Sequence, residues 1–144
     1  MKKKDRKTAV QKMGIVSRLA WEYAREKMDT DGLSSVQAKV CISIYNNPGL
    51  SQDAVARELG MDKSSIAKLI AKLMEGNYVV RETNPQDRRE YKLYLGERGE
   101  KATLELVSYL NEFQDQCISS IRPDLLEEID EVLDKIIENA ADLD

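Results

Sequence analysis

Residues 52–69 read QDAVARELGMDKSSIAKL, and the fold is decided in this stretch. Two short helices that cross at a steep angle need a small residue at the crossing and a residue tolerant of positive φ at the turn. Ala56 and Gly60 meet these two requirements. The buried positions need apolar side chains, which are Val55, Leu59, Met61, Ile66 and Leu69. All seven requirements are met in one register, which predicts a helix-turn-helix.

The second helix of this pair, for which Asp62 is the expected N-cap, has an outward face rich in hydrogen-bond donors. Its members are small, polar or basic: Lys63, Ser64, Ala67, Lys68 and Lys72. A slim face of this kind suits the DNA major groove, where Ala67 would touch a thymine methyl group. The alternative is a helical corner that only packs a core, with these residues as an ordinary solvated surface.

Two further helices are predicted before this pair. Apolar residues at steps of three and four predict an amphipathic helix over 8–28, which ends at the turn-forming cluster 29–32. Ser34 and Gln37 have the spacing of a capping box, which predicts the start of the next helix.

After Gly76 the apolar period changes from helical to alternating. Residues 78–81 are β-prone, 84–87 carry a turn signal, and 91–95 alternate, which together predict a β-hairpin with a charged tip.

The hairpin tip carries Asp87, Arg88 and Arg89. Arginine is favoured in narrow minor grooves, where the negative potential is enhanced. Asp87 is expected to brace the tip by pairing with an arginine, because a carboxylate would repel phosphate. The alternative for all three residues is a solvated charged turn.

Two helices are predicted at the C-terminal end, over about 97–119 and from Pro123 onward. The last helix has an apolar stripe opposite a strongly acidic face. The stripe consists of Leu126, Ile129, Leu133, Ile136 and Ala140. It either completes the core of one chain or forms a dimer interface, and its terminal position favours the dimer. The element order is therefore α-α-α-α-β-β-α-α: mainly α with a small β-hairpin wing, in a single domain over 1–144.

The net charge of −4 hides an uneven distribution. Residues 1–30 carry nine basic and four acidic residues, and 63–94 carry seven basic and four acidic. Residues 122–144 carry two basic and nine acidic residues. One part of the chain could therefore face phosphate groups while the C-terminal end would be repelled by them.

The composition argues against an enzyme. Histidine, the commonest general base and a common zinc ligand, is absent. We find no phosphate-binding loop and no nucleophile motif in the sequence, so no catalytic residue, cofactor or metal site is predicted, although a carboxylate metal site stays open.

The sequence also predicts a cytoplasmic protein. No apolar run has the length of a membrane span, and the basic N-terminus is not followed by the apolar region of a signal peptide. Cys41 and Cys117 lie in helical patterns beside apolar neighbours, which predicts two buried, inert thiols, with redox sensing as the alternative.

The chain resembles the MarR (multiple antibiotic resistance regulator) family of winged helix-turn-helix transcriptional regulators. The resemblance is carried by residues 50–66, 73–79 and the wing signature 87–95, and it continues to Gly99. Family members usually have threonine where this chain has Gly96, so the following helix is expected to lack a hydroxyl cap.

The resemblance implies a homodimer that binds double-stranded DNA, with a DNA-binding lobe over about 33–96 and dimerisation helices over about 8–28 and 97–144. Recognition helices of the two subunits would enter successive major grooves of a pseudo-palindrome, and the wings would enter the flanking minor grooves. On this chain the implied DNA contacts are Lys63, Ser64, Ser65 and Lys68 on the helix and Arg88 and Arg89 on the wing.

Regulators of this kind often respond to a small apolar or phenolic effector bound between the dimer helices and the DNA-binding lobe. Four aromatic residues are candidates for such a cleft, with packing in the core as the alternative: Trp21, Tyr23, Tyr45 and Tyr109. The leading hypothesis is a ligand-responsive repressor, and the alternative is a winged-helix module that binds protein. The sequence does not distinguish a repressor from an activator.

Overall fold

The computed structural model describes residues 6–28 and 33–143. Residues 1–5, which include most of the basic N-terminus, and the turn cluster 29–32 lie outside the described residues. The order of helices is the expected one. The elements are α1 (Ala9–Lys27), α2 (Ser35–Asn46), β1 (Leu50–Ser51), α3 (Gln52–Leu59), α4 (Lys63–Glu75), β2 (Val79–Thr83), β3 (Tyr91–Leu95), α5 (Glu97–Ile118) and α6 (Pro123–Ala141).

The starts and turns of the helices follow from local chemistry. The capping box at Ser34 is present: its hydroxyl accepts from the backbone N–H of Gln37, whose side chain accepts from the backbone of Ser34. Gly60 ends α3 in the left-handed region at φ 63° and ψ 33°, where a side chain is disfavoured. Pro123 occupies the first turn of α6, where its missing N–H has no helical partner. These three predictions are confirmed.

The wing is one strand larger than the sequence predicted. Strands β2 and β3 form the expected antiparallel hairpin, and β1 pairs with the other edge of β3 to give the order β1-β3-β2. Leu50 of β1 lies opposite Leu93. A strand of two residues has no alternating pattern of its own, so it could be found only from its partner.

A single core joins α2, α3, α4 and the hairpin. Its members are almost fully buried and include Val40, Ile44, Val55, Ile66, Ile70, Leu73, Val79 and Leu93. All seven residues of the helix-turn-helix pattern contribute as expected. Val55, Ala56 and Ile66 are buried. Leu59, Met61 and Leu69 are partly buried and pack against this core, and Gly60 forms the turn.

Helix α5 begins unusually close to the strand region. A Cβ atom on Gly96 would lie 2.4 Å from the carbonyl oxygen of Asn77, and one on Gly99 would lie 1.9 Å from that of Tyr78. No side chain caps the helix, as expected for glycine at this position. The close backbone approach explains why glycine stands there instead of a residue with a hydroxyl group.

Helices α1 and α5 pack against each other and against α2 around a second, smaller core formed by Ala24, Ala38 and Leu106. Helix α6 is different, because none of its residues is buried within the described part of the chain. Ile129 of the apolar stripe is 48% exposed, and Leu126 and Leu133 are half-buried. The alternative in which this stripe completes the core of one chain is therefore wrong.

None of the helices in residues 6–28 and 33–143 combines the length and apolar character needed to cross a lipid bilayer.

Candidate nucleic-acid interface

Helix α4 has one face in the core and one face in solvent. Ile66, Ile70 and Leu73 are at most 1% exposed and hold the helix against α2 and the hairpin. The opposite side carries the predicted contact residues, all of them exposed: Lys63, Ser64, Ala67, Lys68 and Lys72. The rigid attachment of the inner face fixes the direction in which these donors point, as a helix that reads a groove requires.

Ser65 differs from the other predicted contacts. It is half-buried, and its hydroxyl donates to the Asp62 carboxylate at 2.7 Å while its backbone N–H donates to the same carboxylate at 2.8 Å. The hydroxyl hydrogen bond, followed by the backbone one, lowers the pKa of Asp62 below its usual value. Ser65 therefore belongs to the N-terminal cap of α4, and only its oxygen lone pairs are left for DNA.

Lys63 stands at the N-terminal end of the exposed face and pairs with a carboxylate of the neighbouring helix. Its Nζ lies 3.2 Å from Asp53 Oδ2, and both side chains are largely exposed. An exposed pair of this kind is weak and readily exchanged, so the lysine can turn to a phosphate.

The wing tip is held by side chains that bond to backbone. Asp87 Oδ1 accepts from the backbone N–H of Arg89 at 3.0 Å, and Asn84 Oδ1 accepts from that of Gln86 at 3.0 Å. Asp87 was expected to pair with an arginine guanidinium. It braces the tip through the arginine backbone instead, because a carboxylate at the start of a tight turn reaches the amide two residues on.

This brace leaves the guanidinium groups of Arg88 and Arg89 at the exposed tip. The structure therefore places the two wing arginines and the exposed face of α4 on separate elements of one lobe, joined by the core beneath them.

One further basic residue was missed in the sequence. Arg81 of β2 is exposed, and its Cζ lies 4.0 Å from the centre of the Tyr91 ring. It borders a groove of about 450 Å³ between β2 and α4. Its place in the alternation after buried Val79 could have identified it, since residues two apart on a strand share a face.

The four aromatic candidates for an effector cleft do not share one site. Trp21 and Tyr109 each pack against the smaller core. Tyr23 donates from its hydroxyl to Glu112 Oε1 at 2.7 Å and packs beside Phe113, with ring centres 5.6 Å apart. Tyr45 is 38% exposed near the end of α2.

The Tyr23 contact belongs to a polar network between α1 and α5. Glu112 Oε1 also accepts from Lys27 Nζ at 2.8 Å. This hydrogen bond lowers the pKa of Glu112 and raises that of Lys27. The phenol is thus engaged in joining the two helices.

Trp21 also borders an open groove of about 350 Å³ between α1 and α2. Lys39 Nζ lies 5.5 Å from the centre of the Trp21 ring, and Arg25 donates to the Ser35 hydroxyl at 2.8 Å across the groove. An aromatic wall and nearby cations suit a planar ligand with a polar or ionised group.

The two cysteines have different environments. Cys41 is buried, as predicted, and burial raises the pKa of its thiol to about 11. The prediction was wrong for Cys117, which is exposed in the last turn of α5, where α6 does not pack back over it. Within residues 6–28 and 33–143 no cluster of carboxylates and cysteines could hold a metal ion.

Sequence comparison relates this chain to known regulators. The profile of the MarR family matches residues 31–90. A protein of Thauera aromatica, assigned as a transcriptional regulatory protein for the hcr operon, is 40% identical over 81 residues. This alignment covers 56% of the chain but only 49% of the relative, so the chain spans about half the length of that protein.

Structure comparison extends the likeness to nearly the whole chain. A MarR transcriptional regulator from Methanosarcina mazei Go1 superposes with a TM-score of 0.76 at 26% identity, over 92% of this chain and 95% of the other. The PcaV transcriptional regulator from Streptomyces coelicolor, solved in complex with its natural ligand, has a TM-score of 0.66 at 21% identity over 97% and 99% of the two chains. The predicted winged helix-turn-helix fold is confirmed.

Proposed function

We propose that this chain is a regulator of the MarR type, which controls transcription as a homodimer that binds double-stranded DNA at a pseudo-palindromic operator. The observation that carries the proposal is α4, whose inner face is locked into the core while Lys63, Lys68 and Lys72 stand exposed on the other side. In this proposal α4 enters the major groove and contacts phosphates and base edges.

The wing supports the same arrangement. Arg88 and Arg89 lie at the exposed tip of a braced hairpin, where they would enter a flanking minor groove. Asp87 would contribute by fixing the shape of the tip. Residues 33–96 would form the DNA-binding lobe, and 8–28 with 97–144 would form the dimerisation helices.

The apolar surface left over in one chain supports the homodimer. Ile129 and Ile136 of α6 are 48% and 40% exposed, and Val10 and Val16 of α1 are more exposed still. An apolar surface of this extent marks a site of association. A second copy of the chain would cover it and would set two α4 helices about 34–36 Å apart, the spacing that successive major grooves require.

We further propose a repressor that responds to a small apolar or phenolic effector. The relative from Streptomyces coelicolor was solved with a ligand, and the groove beside Trp21 offers this chain a place for one. An effector that favours a dimer with the wrong spacing of the two α4 helices would release DNA, and a coupling of about 1–3 kcal/mol suffices.

The DNA proposal is tested by selection from a pool of random duplexes with the purified protein, followed by gel shifts at several salt concentrations. We expect enriched sequences with two inverted half-sites one helical turn apart, and affinity that falls steeply as salt rises. Failure to enrich any sequence would contradict the proposal and would favour a winged-helix module with a protein partner.

The effector proposal has a built-in probe, because Trp21 is the only tryptophan of the chain. Titration of the protein with a panel of phenols and aromatic acids should change the fluorescence of Trp21 and, for the same compounds, release the selected duplex. A fluorescence change without release would contradict regulation by that compound.

A further inference from the structure

The groove between α4 and the wing has walls with few groups that could form hydrogen bonds to DNA bases. It is bordered on the helix side by Ala67 and Ala71, two side chains without polar atoms, and on the strand side by Arg81. Ile70 and Met74 lie beneath them. A surface made of small apolar residues beside one cation can approach a polyanion closely, and among the groove residues on these two walls only the cation can donate hydrogen bonds to it.

The pairing register shows which way Arg81 faces. Val79 lies opposite Leu95, and Arg81 lies opposite Leu93, so Arg81 is on the same face of the hairpin as the buried residues. It lies two residue pairs nearer the tip than Val79, directly opposite the buried Leu93, and its own side chain is exposed. Its side chain therefore stands on the side of the wing that faces α4.

Arg81 is also held in place. Its guanidinium stacks over the ring of Tyr91, which is on the same face of β3, at 4.0 Å. A stacked guanidinium keeps its donors at the edge free for an anion while its plane is fixed. Less conformational freedom is then lost when it binds than for an unsupported side chain.

The position of the groove identifies what would occupy it. If α4 lies in a major groove and the wing tip in the adjacent minor groove, the sugar–phosphate strand that separates the two grooves must pass between them. On the surface of the described residues, the groove with Arg81 lies between α4 and β2. We infer that this groove is the seat of the DNA backbone and that Arg81 clamps one phosphate in each half-site.

The position of Glu75, the acidic residue that lines the groove, is compatible with a bound phosphate strand. Glu75 lies at the C-terminal end of α4, two turns beyond Ala67, so the end of the groove nearest the recognition residues is free of carboxylates. Gln52, the first residue of α3, adds a neutral amide at the border. The strand would therefore pass beside Ala67, lie over Ala71 and reach Arg81 before Glu75.

A phosphate clamp affects all DNA sequences alike. Arg81→Ala should weaken binding about tenfold or more, to the same extent for the selected duplex and for a scrambled duplex of equal length. It should also reduce the slope of log K against log salt concentration by about 0.9 for each lost phosphate, hence by roughly 1.8 per dimer.

The role of Tyr91 separates a positioned arginine from a mere charge. Tyr91→Phe keeps the ring face and should bind as wild type, whereas Tyr91→Leu should lose part of the affinity while keeping most of the salt slope. Arg81→Lys should behave like Tyr91→Leu, because it retains the charge without the stacked plane. Arg122→Ala, which removes one exposed cation from the loop before α6, is the matched control and should leave both quantities unchanged.

This inference rests on the proposed function, and the experiment separates the two. Wild-type protein that binds neither duplex would overturn the proposed function and the clamp with it. Wild-type binding together with unchanged affinity and salt slope in Arg81→Ala would overturn the clamp alone. Loss confined to the selected duplex would also overturn it, because Arg81 would then read bases. Circular dichroism of each variant verifies that the fold is intact.

Discussion

Apolar residues have opposite environments in two parts of the molecule, the winged-helix lobe formed by α2, α3, α4 and the hairpin, and helix α6. In the lobe, Ile66 is fully buried and Leu73 is 1% exposed, so the core is complete within one chain. In α6, Ile129 and Val132 are 48% and 56% exposed, and none of the described residues of that helix is buried. The core of the lobe is thus complete within one chain, whereas the apolar face of α6 is left uncovered by the other described residues.

The difference shows that similar sequence patterns can have different partners. Both α4 and α6 have amphipathic spacing with isoleucine and leucine on one side. Helix α4 is enclosed between α2, α3 and the hairpin, whereas none of the described residues covers the apolar face of α6. Periodicity reports that a face is apolar, but only the surrounding elements determine whether it is covered within the chain.

The largest expected effect is on the dissociation constant of the proposed dimer, when the apolar stripe of α6 is disrupted. Ile129→Asp with Ile136→Asp places charges on the exposed stripe and should convert the proposed dimer into a monomer. Four isoleucines per dimer, each contributing about 1.5–3 kcal/mol on burial, correspond to a rise of at least about a thousandfold in the dissociation constant. Sedimentation equilibrium measures it.

The matched control lies on the acidic face of the same helix. Glu127→Ala with Asp134→Ala has the same spacing along α6 and should leave the association unchanged. Dimers of undiminished affinity in the isoleucine variant would show that the interface lies elsewhere.

The second effect concerns DNA binding by the lobe. Arg88→Ala with Arg89→Ala should abolish selective DNA binding while leaving the dimer intact, because the wing tip and the proposed association surface belong to different elements. Gel shifts and light scattering on the same preparations report both properties. If the double variant binds the selected duplex with wild-type affinity, the wing arginines do not contact DNA.

A third, smaller effect compares one isoleucine from each region. Ile66→Ala should lower the free energy of unfolding by about 2–5 kcal/mol, because it leaves a cavity in a closed core. Ile137→Ala, made in the monomeric variant, should cost less than about 0.5 kcal/mol since that side chain is 67% exposed. Urea denaturation gives both values, and equal losses would contradict the contrast between the regions.

The smallest effect is expected at the cap of α4. The pKa of Asp62 is lowered by the hydroxyl and the backbone N–H of Ser65, so the ionised form stabilises the folded state. This contribution is present above the unfolded pKa of about 3.9 and is lost as the pH falls through the lower folded value. Asp62→Ala should therefore lower Tm at pH 7, and its difference from wild type should shrink below pH 4.

Ser65→Ala refines the cap prediction. It removes the hydroxyl that lowers the pKa most and keeps the backbone donor, so its Tm at pH 7 should lie between those of wild type and Asp62→Ala. A deficit in Asp62→Ala that stays constant down to pH 2 would show that the carboxylate does not act through its charge.

The sequence was sufficient wherever a structural requirement is local. The cap at Ser34, the left-handed Gly60 and the alternation of 91–95 each depend on a few neighbouring residues. Strand β1, the exposure of Cys117 and the backbone bond of Asp87 depend on partners that are distant in sequence or on the exact shape of a turn.

The proposed DNA contacts divide in the same way. The outward face of α4 follows from helical periodicity, but the stack of Arg81 on Tyr91 requires the hairpin register, which a sequence pattern leaves unspecified. The role of Ser65 in the cap likewise became visible only with the hydrogen bonds in place.

The most direct test of the account is the mass of the protein–DNA complex, measured by light scattering with the selected duplex. We predict two chains on one duplex, and one duplex bound per dimer when either half-site is mutated, with reduced affinity. A complex of one chain with one half-site, at an affinity equal to that for the full duplex, would contradict a homodimer that reads two grooves at once.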